Sequence, residues 1–553
     1  MLSALKIANF KAFGETQRIP LRPLTLIYGA NSSGKSSILH SLLFARHAME
    51  EGDLDVHRTR TGGDSMDLGG FRQYVYRRDV SRRMEWAADL DTAHFQGRLA
   101  ELLAPVKTVT VTVAIGIGLD DKGRPQQGAL PEIHAYEILG DAQSLIRMSL
   151  RRDGNLKLDR MDHEHPVFHE LIKAVVLSST TTDSIRPEDF EGLDEAIQEM
   201  VPDIIAPPGK FLPSGLGKSK VFGASGQMGL FPVSKGRRKE DLAAAVRFFI
   251  PRAIDDLMRG LHQAVIKELS RLQYLGPLRS YPPRHLAFAQ HHDPNWIAGG
   301  GYAWDVVRRD ERVRELVNCF LAIPSGIQTP YELKVRRLVA LDQIEEPILD
   351  GLEIIGTEGL DMEPDGDKDG PTGAFPIIKD PEAEAKNLRR LIEESEIDRV
   401  DELIMIDRRS NTTVSHRDVG IGVSQILPVL VGAYASNDQI IAIEQPEIHL
   451  HPALQADLGD VFIESALGNG GNTFLLETHS EHLLLRIMRR IRETSSGKLP
   501  AGVPLIKPED VMVLFVEPAS FQSIIHEMPL NKKGDLERPW PGGFFEEDFK
   551  ELF

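Results

Sequence analysis

Gly29-Ala30-Asn31-Ser32-Ser33-Gly34-Lys35-Ser36 fits the pattern G-x-x-x-x-G-K-[ST] without a mismatch. Glycines at both ends let successive backbone N–H groups converge on phosphate oxygens, and a helix starting just after them adds a favourable dipole. Lys35 would reach a β- and a γ-phosphate, and the Ser36 hydroxyl would ligate Mg2+. Asn31, Ser32, Ser33 and Ser37 complete the cradle. The competing reading is a Gly/Ser turn that fits by chance, and the elements on either side argue against it.

Such a cradle needs an acidic group at a second strand end to hold the metal. Ile440-Ile-Ala-Ile443-Glu444 offers four apolar residues and then a carboxylate, the Walker B layout. Gln445-Pro446-Glu447-Ile-His449-Leu-His451-Pro452 follows it. Many buried strands end in an acid, so this layout alone is weak. It gains specificity from the Thr478-His479-Ser480 element downstream. A lone histidine is more often structural, yet His479 directly follows the apolar run Phe474–Glu477 and is placed to sense a γ-phosphate.

The elements that must position these groups are legible as patterns. Leu5–Phe10 alternates, and Leu24–Tyr28 is an apolar run behind a proline, so both read as strands. From Ser36 to about Met49, apolar residues at 38, 39, 42, 43 and 44 mark one face of a helix. Residues 106–116 are β-branched and strand-like, and further runs at 133–139 and 145–158 predict an antiparallel β insert. Gly, Pro, Ser and Lys without periodicity over 203–236 predict a long exposed loop. Helices are expected over 240–273 and 303–322, and Tyr274–Arg284 reads as a turn-rich connector with two arginines. Apolar strands at 403–406, 439–444, 473–477 and 511–516, with helical patterns between, predict a parallel sheet with crossover helices. The expected division is 1–180 for an N-terminal lobe, 181–395 for a helical insertion with loops near 203–236 and 356–385, and 396–553 for a C-terminal lobe.

The 553 residues leave room for roughly three or four domains, or for one large core carrying insertions. Lys+Arg 64 against Asp+Glu 82 gives 64 − 82 = −18, and 41% hydrophobic with 26% charged residues is ordinary for a globular chain. No apolar stretch is long enough to span a membrane, and Met1–Lys6 does not read as a secretory signal, so a cytoplasmic location is expected. Cys319 is the only cysteine, which excludes a disulfide framework and a multi-cysteine zinc knuckle. Residues 341–400 hold 18 acidic and 6 basic side chains, a net of −12, which leaves −6 for the other 493 residues. Arginine-rich clusters at 72–83, 235–239 and 486–492 read as solvated faces or as a nucleic-acid groove, and the runs alone do not decide. Asp365-Gly-Asp-Lys-Asp-Gly370 imitates a calcium loop, but its twelfth position is Pro376 where a bidentate Glu is required.

Leu5-Lys-Ile-Ala-Asn-Phe-Lys-Ala-Phe13, the P-loop, the distant Walker B run and the strand-end histidine together resemble the ABC-type ATPase heads of the RecF, SMC and OLD group. The resemblance covers about the first 80 and the last 150 residues. It implies an α/β ABC-type head with a mixed or parallel sheet, Mg-ATP as ligand, and a head-to-head dimer or higher oligomer in which a signature loop caps the partner's ATP. The matching stretch is Asp418-Val-Gly420-Ile-Gly422-Val-Ser424-Gln425, which departs from Leu-Ser-Gly-Gly-Gln; a glycine turn opening a helix is the plain alternative. Gln73, in Gly69-Gly-Phe-Arg-Gln-Tyr, is the candidate for the Q-loop glutamine that the resemblance would join to Ser36 and Glu444 at the metal; a plain polar loop residue is the alternative.

Glu-Gln-Pro-Glu-Ile-His-Leu-His-Pro and the tail Leu530–Phe545 resemble more closely the bacterial predicted ATPases of anti-phage defence, including Septu-type ATPases (PtuA), some retron-associated, that act with an HNH nuclease. In ABC heads the residue after the metal-binding acid is usually a water-polarising glutamate; here it is Gln445, so slow hydrolysis is expected, with Glu447 as substitute base. OLD-type enzymes carry a TOPRIM domain after the head, and only 37 residues follow Val516, too few for it. The expectation is an ATPase subunit that regulates a partner nuclease. Its rival is a DNA-repair or chromosome-maintenance ATPase that grips DNA directly.

Overall fold

The computed structural model describes residues 1–120, 122–126, 128–162, 164–170, 172, 193–217, 238–280, 295–322, 329–339, 386, 390, 399–414 and 421–545. The calcium-like run at 365–370, the acidic loop 356–385, residues 218–236 of the glycine-rich loop, Arg284 and Asp418–Gly420 lie outside the described residues.

Leu24–Gly29 is buried at every position, as a strand covered on both faces must be. It lies in a six-stranded sheet in the order Leu272–Leu275, Ile440–Glu444, Thr473–Glu477, Leu24–Gly29, Val511–Ala519 and Gln522–Glu527. The first five strands run parallel and the sixth returns antiparallel. Alternate side chains feed two cores. Ile27, Ala442, Leu475 and Leu514 face a cluster shared with helix Lys35–Glu51 and the long helix Arg238–Ser270. Leu26, Tyr28, Ile443, Phe474 and Leu476 face a second cluster shared with helices Ile421–Ala435, Pro452–Leu467 and Glu481–Ser495.

The first cluster is closed by an eight-stranded antiparallel sheet. Its strands are, in spatial order, Gln17–Pro20, Leu2–Ala8, Met84–Asp91, Thr108–Gly116, Glu132–Gly140, Gln143–Leu150, Leu156–Met161 and Ile205–Ala206. The expected β insert is therefore present, with 145–158 resolved into two strands across a turn. A third sheet joins Tyr331–Val339, Arg399–Asp407 and Thr412–Val414.

Four local expectations need correction. The helix expected to reach 273 ends at Ser270, and Leu272–Leu275 is instead an edge strand beside Ile440–Glu444; Leu-Gln-Tyr-Leu fits either period, and the neighbouring strand decides. The 403–406 strand exists but belongs to the three-stranded sheet rather than the parallel one. The span 303–322 is two helices, because Asp310 leaves helical geometry and caps the second one by accepting from the Val313 N–H at 3.0 Å. Within the supposed loop 203–236, Phe211 and Leu212 are fully buried, with the Phe211 ring 5.3 Å from Trp86 and 5.9 Å from Phe44.

The 486–492 cluster is not a free basic face. Arg486 and Arg490 reach Asp457, Asp460 and Glu493 between two packed helices, and Arg490 is 7% exposed. Lys235 and Arg237 lie outside the described residues. Arg72, Arg77, Arg78, Arg82 and Arg83 are exposed.

Candidate nucleotide site

The sheet register brings the chemistry together. Glu444 lies beside Glu477, Glu477 beside Ile27, and Gly29 beside Val516, so four strands deliver their C-terminal ends to one edge. Helix Lys35–Glu51 begins there, with Gly34 at its N-cap in the left-handed region at φ +96°. A Cβ on Gly34 would meet Ala12 at 2.6 Å, and one on Gly29 would meet the Val516 carbonyl oxygen at 2.4 Å. Both positions require glycine on steric grounds.

Lys35 is 4% exposed and folds back on the loop, its Nζ donating to the Gly29 and Ala30 carbonyls at 3.0 and 2.9 Å. Burial lowers its pKa, against the opposing pull of Glu477, Glu447 and Glu444. Ser523 Oγ donates to the Ser33 carbonyl at 2.6 Å and pins the loop. Asn31 and Ser32 are exposed, Ser32 at φ +62°, while Ser33 and Ser37 are buried behind them. The Ser36 hydroxyl hydrogen-bonds Glu477.

Around Glu444 a polar network forms. Its Oε1 accepts from the Tyr274 hydroxyl at 2.7 Å and lies 3.3 Å from His40 Nε2. His40 Nδ1 is in turn 2.6 Å from Lys11 Nζ. Burial pushes the Glu444 carboxyl up, but His40, Tyr274 and Lys11 outweigh it and hold the group below its ordinary value. Burial lowers His40, and it lowers Lys11 to about 8. Glu477 goes the other way: burial, and then the neighbouring Glu444 charge, push it up to about 7. Its Oε2 is buried without a partner among the described residues.

Gln445 sits in the left-handed region at φ +47°, its N–H donating to the Glu477 carbonyl at 2.7 Å. Glu447 is 9% exposed, and both its oxygens are engaged: Thr478 Oγ1 donates at 2.8 Å and the His479 N–H at 2.7 Å. Burial raises its pKa. These bonds make Glu447 the latch of the turn that carries His479. The His479 ring is lowered by burial and then by Lys35, so it is neutral at pH 7, and its Nε2 is buried with no partner among the described residues.

Two sequence candidates stand further out. Gln73 is exposed on the short helix Phe71–Tyr74, next to Tyr74, whose carbonyl accepts from the Lys11 N–H at 2.7 Å. Gly422 abuts the Walker B turn, since a Cβ there would meet the His449 carbonyl at 2.9 Å. Ser424 is 1% exposed and packed within its own chain. Contact between Ser424 and a partner's nucleotide would need that helix start to shift.

The sequence reading missed Glu477, His40, Lys11, Tyr274 and Arg279. Signals existed for some: Glu477 ends an apolar run just as Glu444 does, and His40 lies four residues after Ser36 on one helix face. Beside the P-loop, a cavity of about 400 Å3 is lined by Lys11, Ala12, Tyr76, Arg77, Phe521 and Ser523, among others. Arg77 lies over the Phe521 ring at 5.6 Å.

Among the described residues no cluster of three or more His, Cys, Asp or Glu side chains forms a metal site by itself. The donor set fits Mg2+ held by Ser36 and a carboxylate with nucleotide oxygens and water filling the remainder, the way this ion is usually bound. Orphaned Glu477 Oε2 and the inward-folded Lys35 fit an anionic, metal-bearing ligand between them.

Residues 1–74 and 364–484 match the family described as AAA ATPase domain, and residues 506–553 match a protein family of unknown function, DUF3696. The first match takes in the P-loop, Gln73, Gly422, Glu444, Glu447 and His479. Among solved structures, the chain is similar to the SMC head domain from Thermotoga maritima, with 10% identity, a TM-score of 0.30, and 96% of this chain and 99% of that one covered. It is also similar to an SMC head with an extended coiled coil from Pyrococcus furiosus, bound to the C-terminal domain of ScpA, with 11% identity, a TM-score of 0.32 and coverage of 100% and 98%. The comparison with curated proteins finds no match. Residues 1–74 and 364–484 thus carry the sequence pattern of an ATPase domain, on a mixed α/β fold.

Proposed function

We propose that this chain binds and slowly hydrolyses Mg-ATP, dimerises around it, and passes its nucleotide state to a partner effector. The observation that carries the reading is the convergence of Lys35 and Ser36 with Glu444, Glu477 and His479, from segments more than four hundred residues apart, on one sheet edge. Phosphoryl transfer rests on positioning and charge stabilisation more than on covalent chemistry, and this edge supplies both.

The P-loop N–H groups and Lys35 hold the phosphates. Ser36 and Glu444 would hold Mg2+, and Gln73, exposed on the short helix Phe71–Tyr74, is the third candidate ligand; when bound, the ion would supply neutralisation of charge developing on the phosphates. Gln445 orients the attacking water, and neutral His479, latched by Glu447, offers a ring nitrogen to the γ-phosphate. Glu477 is the carboxylate next in line to accept a proton. The nucleoside fits the adjoining cavity, where Tyr76, Arg77 and Phe521 offer stacking faces. Gly422 and Ser424 belong to the surface we assign to the second subunit. An HNH-type nuclease is the partner favoured by the resemblance of the Walker B stretch and tail to anti-phage ATPases.

The test is Lys35→Ala. Nucleotide binding by calorimetry should fall at least tenfold, and ATP-dependent doubling of mass in light scattering should vanish. Unchanged affinity and activity would overturn the reading. Expression with neighbouring genes, followed by co-purification, tests the nuclease partner. The exposed cluster Arg72, Arg77, Arg78, Arg82 and Arg83 favours a second reading, direct DNA binding. That reading predicts affinity falling steeply with salt.

A further inference from the structure

Arg279 lies on the connector that follows strand Leu272–Leu275 and is 5% exposed. Its Nη2 donates to two successive carbonyls, Glu444 at 3.1 Å and Gln445 at 3.0 Å. Its Nε and Nη1 are buried with no partner among the described residues. Burial lowers its pKa to about 10, opposed by Glu447, so it remains charged at neutral pH. A buried cation is weak evidence for a stabilising role, because a well-packed apolar side chain in its place is often as stable. The contacts themselves suggest what it does there.

Both carbonyls flank the residue with the strained backbone. Gln445 holds φ +47°, a conformation that side-chain-bearing residues adopt only when their surroundings over-determine it. On one side the Gln445 N–H is held by the Glu477 carbonyl at 2.7 Å. On the other, Arg279 gathers the carbonyls before and after it. That clasp fixes the point where the metal-binding strand turns, and with it the directions of the Glu444 carboxylate and the Gln445 amide. The connector is itself anchored: the Gly276 N–H donates to the Ala298 carbonyl and the Ser280 N–H to the Gly299 carbonyl, both at 2.8 Å.

We infer that Arg279 is a positioning residue for ATP hydrolysis, setting the Glu444–Gln445 turn from the connector without itself holding the nucleotide. The inference rests on the ATPase reading above. It places an element outside the P-loop and Walker B motifs in control of the catalytic step.

The experiment compares full-length wild-type, Arg279→Met, Arg279→Lys and Lys35→Ala proteins. Arg279→Met should fold with a melting temperature somewhat below wild type, since two carbonyls lose their donor. Its kcat should fall about 10²-fold, the size of effect that misplacement by about 1 Å produces. Its affinity for ATP measured without Mg2+ should stay within about threefold, since uniform binding is untouched. The Mg2+ concentration for half-maximal activity should rise. Arg279→Lys, able to reach one carbonyl, should recover part of kcat. Should Arg279→Met fail to fold, the kcat and Mg2+ dependence of Arg279→Lys decide alone. Wild-type kcat in both Arg279 variants overturns the inference, as does a loss of Mg2+-free ATP affinity that matches the loss of kcat. Lys35→Ala separates the two claims: if it keeps binding and turnover, the ATPase reading fails, whereas its loss beside an unaffected Arg279→Met sinks the Arg279 role alone.

Discussion

At the scale of single residues, the site sets the Glu444 and Glu477 carboxyls within one field and drives them apart. Glu444 is held low by His40, Tyr274 and Lys11, while Glu477 is raised by burial and by Glu444. A folded-state pKa of about 7 lies above the unfolded value of about 4.3. The folded nucleotide-free protein therefore binds the extra proton, and the stability this gives is complete below about pH 4.3 and is lost as pH rises through about 7. Glu477→Gln keeps the acceptor for Ser36 and removes the charge. It should stabilise the nucleotide-free protein by on the order of 2 kcal/mol at pH 8, with the gain gone only below about pH 4; urea melts at pH 8 and near pH 4 measure it. Gln445 carries the other residue-scale prediction. An amide orients water but takes no proton, so Gln445→Glu should raise kcat by roughly 10²-fold, the lower end of the usual acid–base contribution. Single-turnover assays that show no increase would leave water activation to Glu477 or to solvent.

At the scale of elements, legibility followed how local the signal is. The P-loop, the Walker B run and His479 are readable because their spacing is fixed within one stretch of chain. Arg279, Tyr274 and Glu477 were opaque because their meaning depends on which strands are neighbours. Leu272–Leu275 shows the same limit: four residues carry too little periodicity to tell helix from strand, and pairing with Ile440–Glu444 settles it. The strand Met84–Asp91 was also missed; five of its eight residues in an unbroken run are buried, which hides the period-two signal. Glycines in the P-loop strand and turn are the element-scale test. Gly29 stands at φ +147° with the Val516 carbonyl 2.4 Å from where a Cβ would be, so Gly29→Ala must push two adjacent strands apart. Nucleotide affinity should fall at least tenfold, while the far-UV circular dichroism stays unchanged. Retained affinity would mean the strand pair yields more easily than parallel packing suggests.

At the scale of the whole molecule, the parallel sheet is woven from both ends of the sequence, since Leu24–Gly29 lies between Thr473–Glu477 and Val511–Ala519. Its two faces serve different purposes. The P-loop helix covers one face, and on the other the C-terminal segment closes over Tyr28. The Trp540 ring meets Tyr28 at 5.4 Å, Phe515 at 5.7 Å and Phe545 at 5.2 Å, all edge-on. The Tyr28 hydroxyl donates to the Ser480 carbonyl at 3.0 Å, just past His479. Among the described residues, the tail thus packs on the strand that leads into the proposed nucleotide site. Truncating a buried aromatic to alanine costs about 3–5 kcal/mol, and the half-buried Trp540 should fall somewhat below that range. Trp540→Ala should therefore lower the urea midpoint clearly while leaving KM for ATP within about twofold, because ground-state contacts are untouched. A large rise in KM at unchanged stability would show instead that the aromatic cluster transmits strain through Tyr28 to the P-loop, making the tail part of the nucleotide site rather than its support.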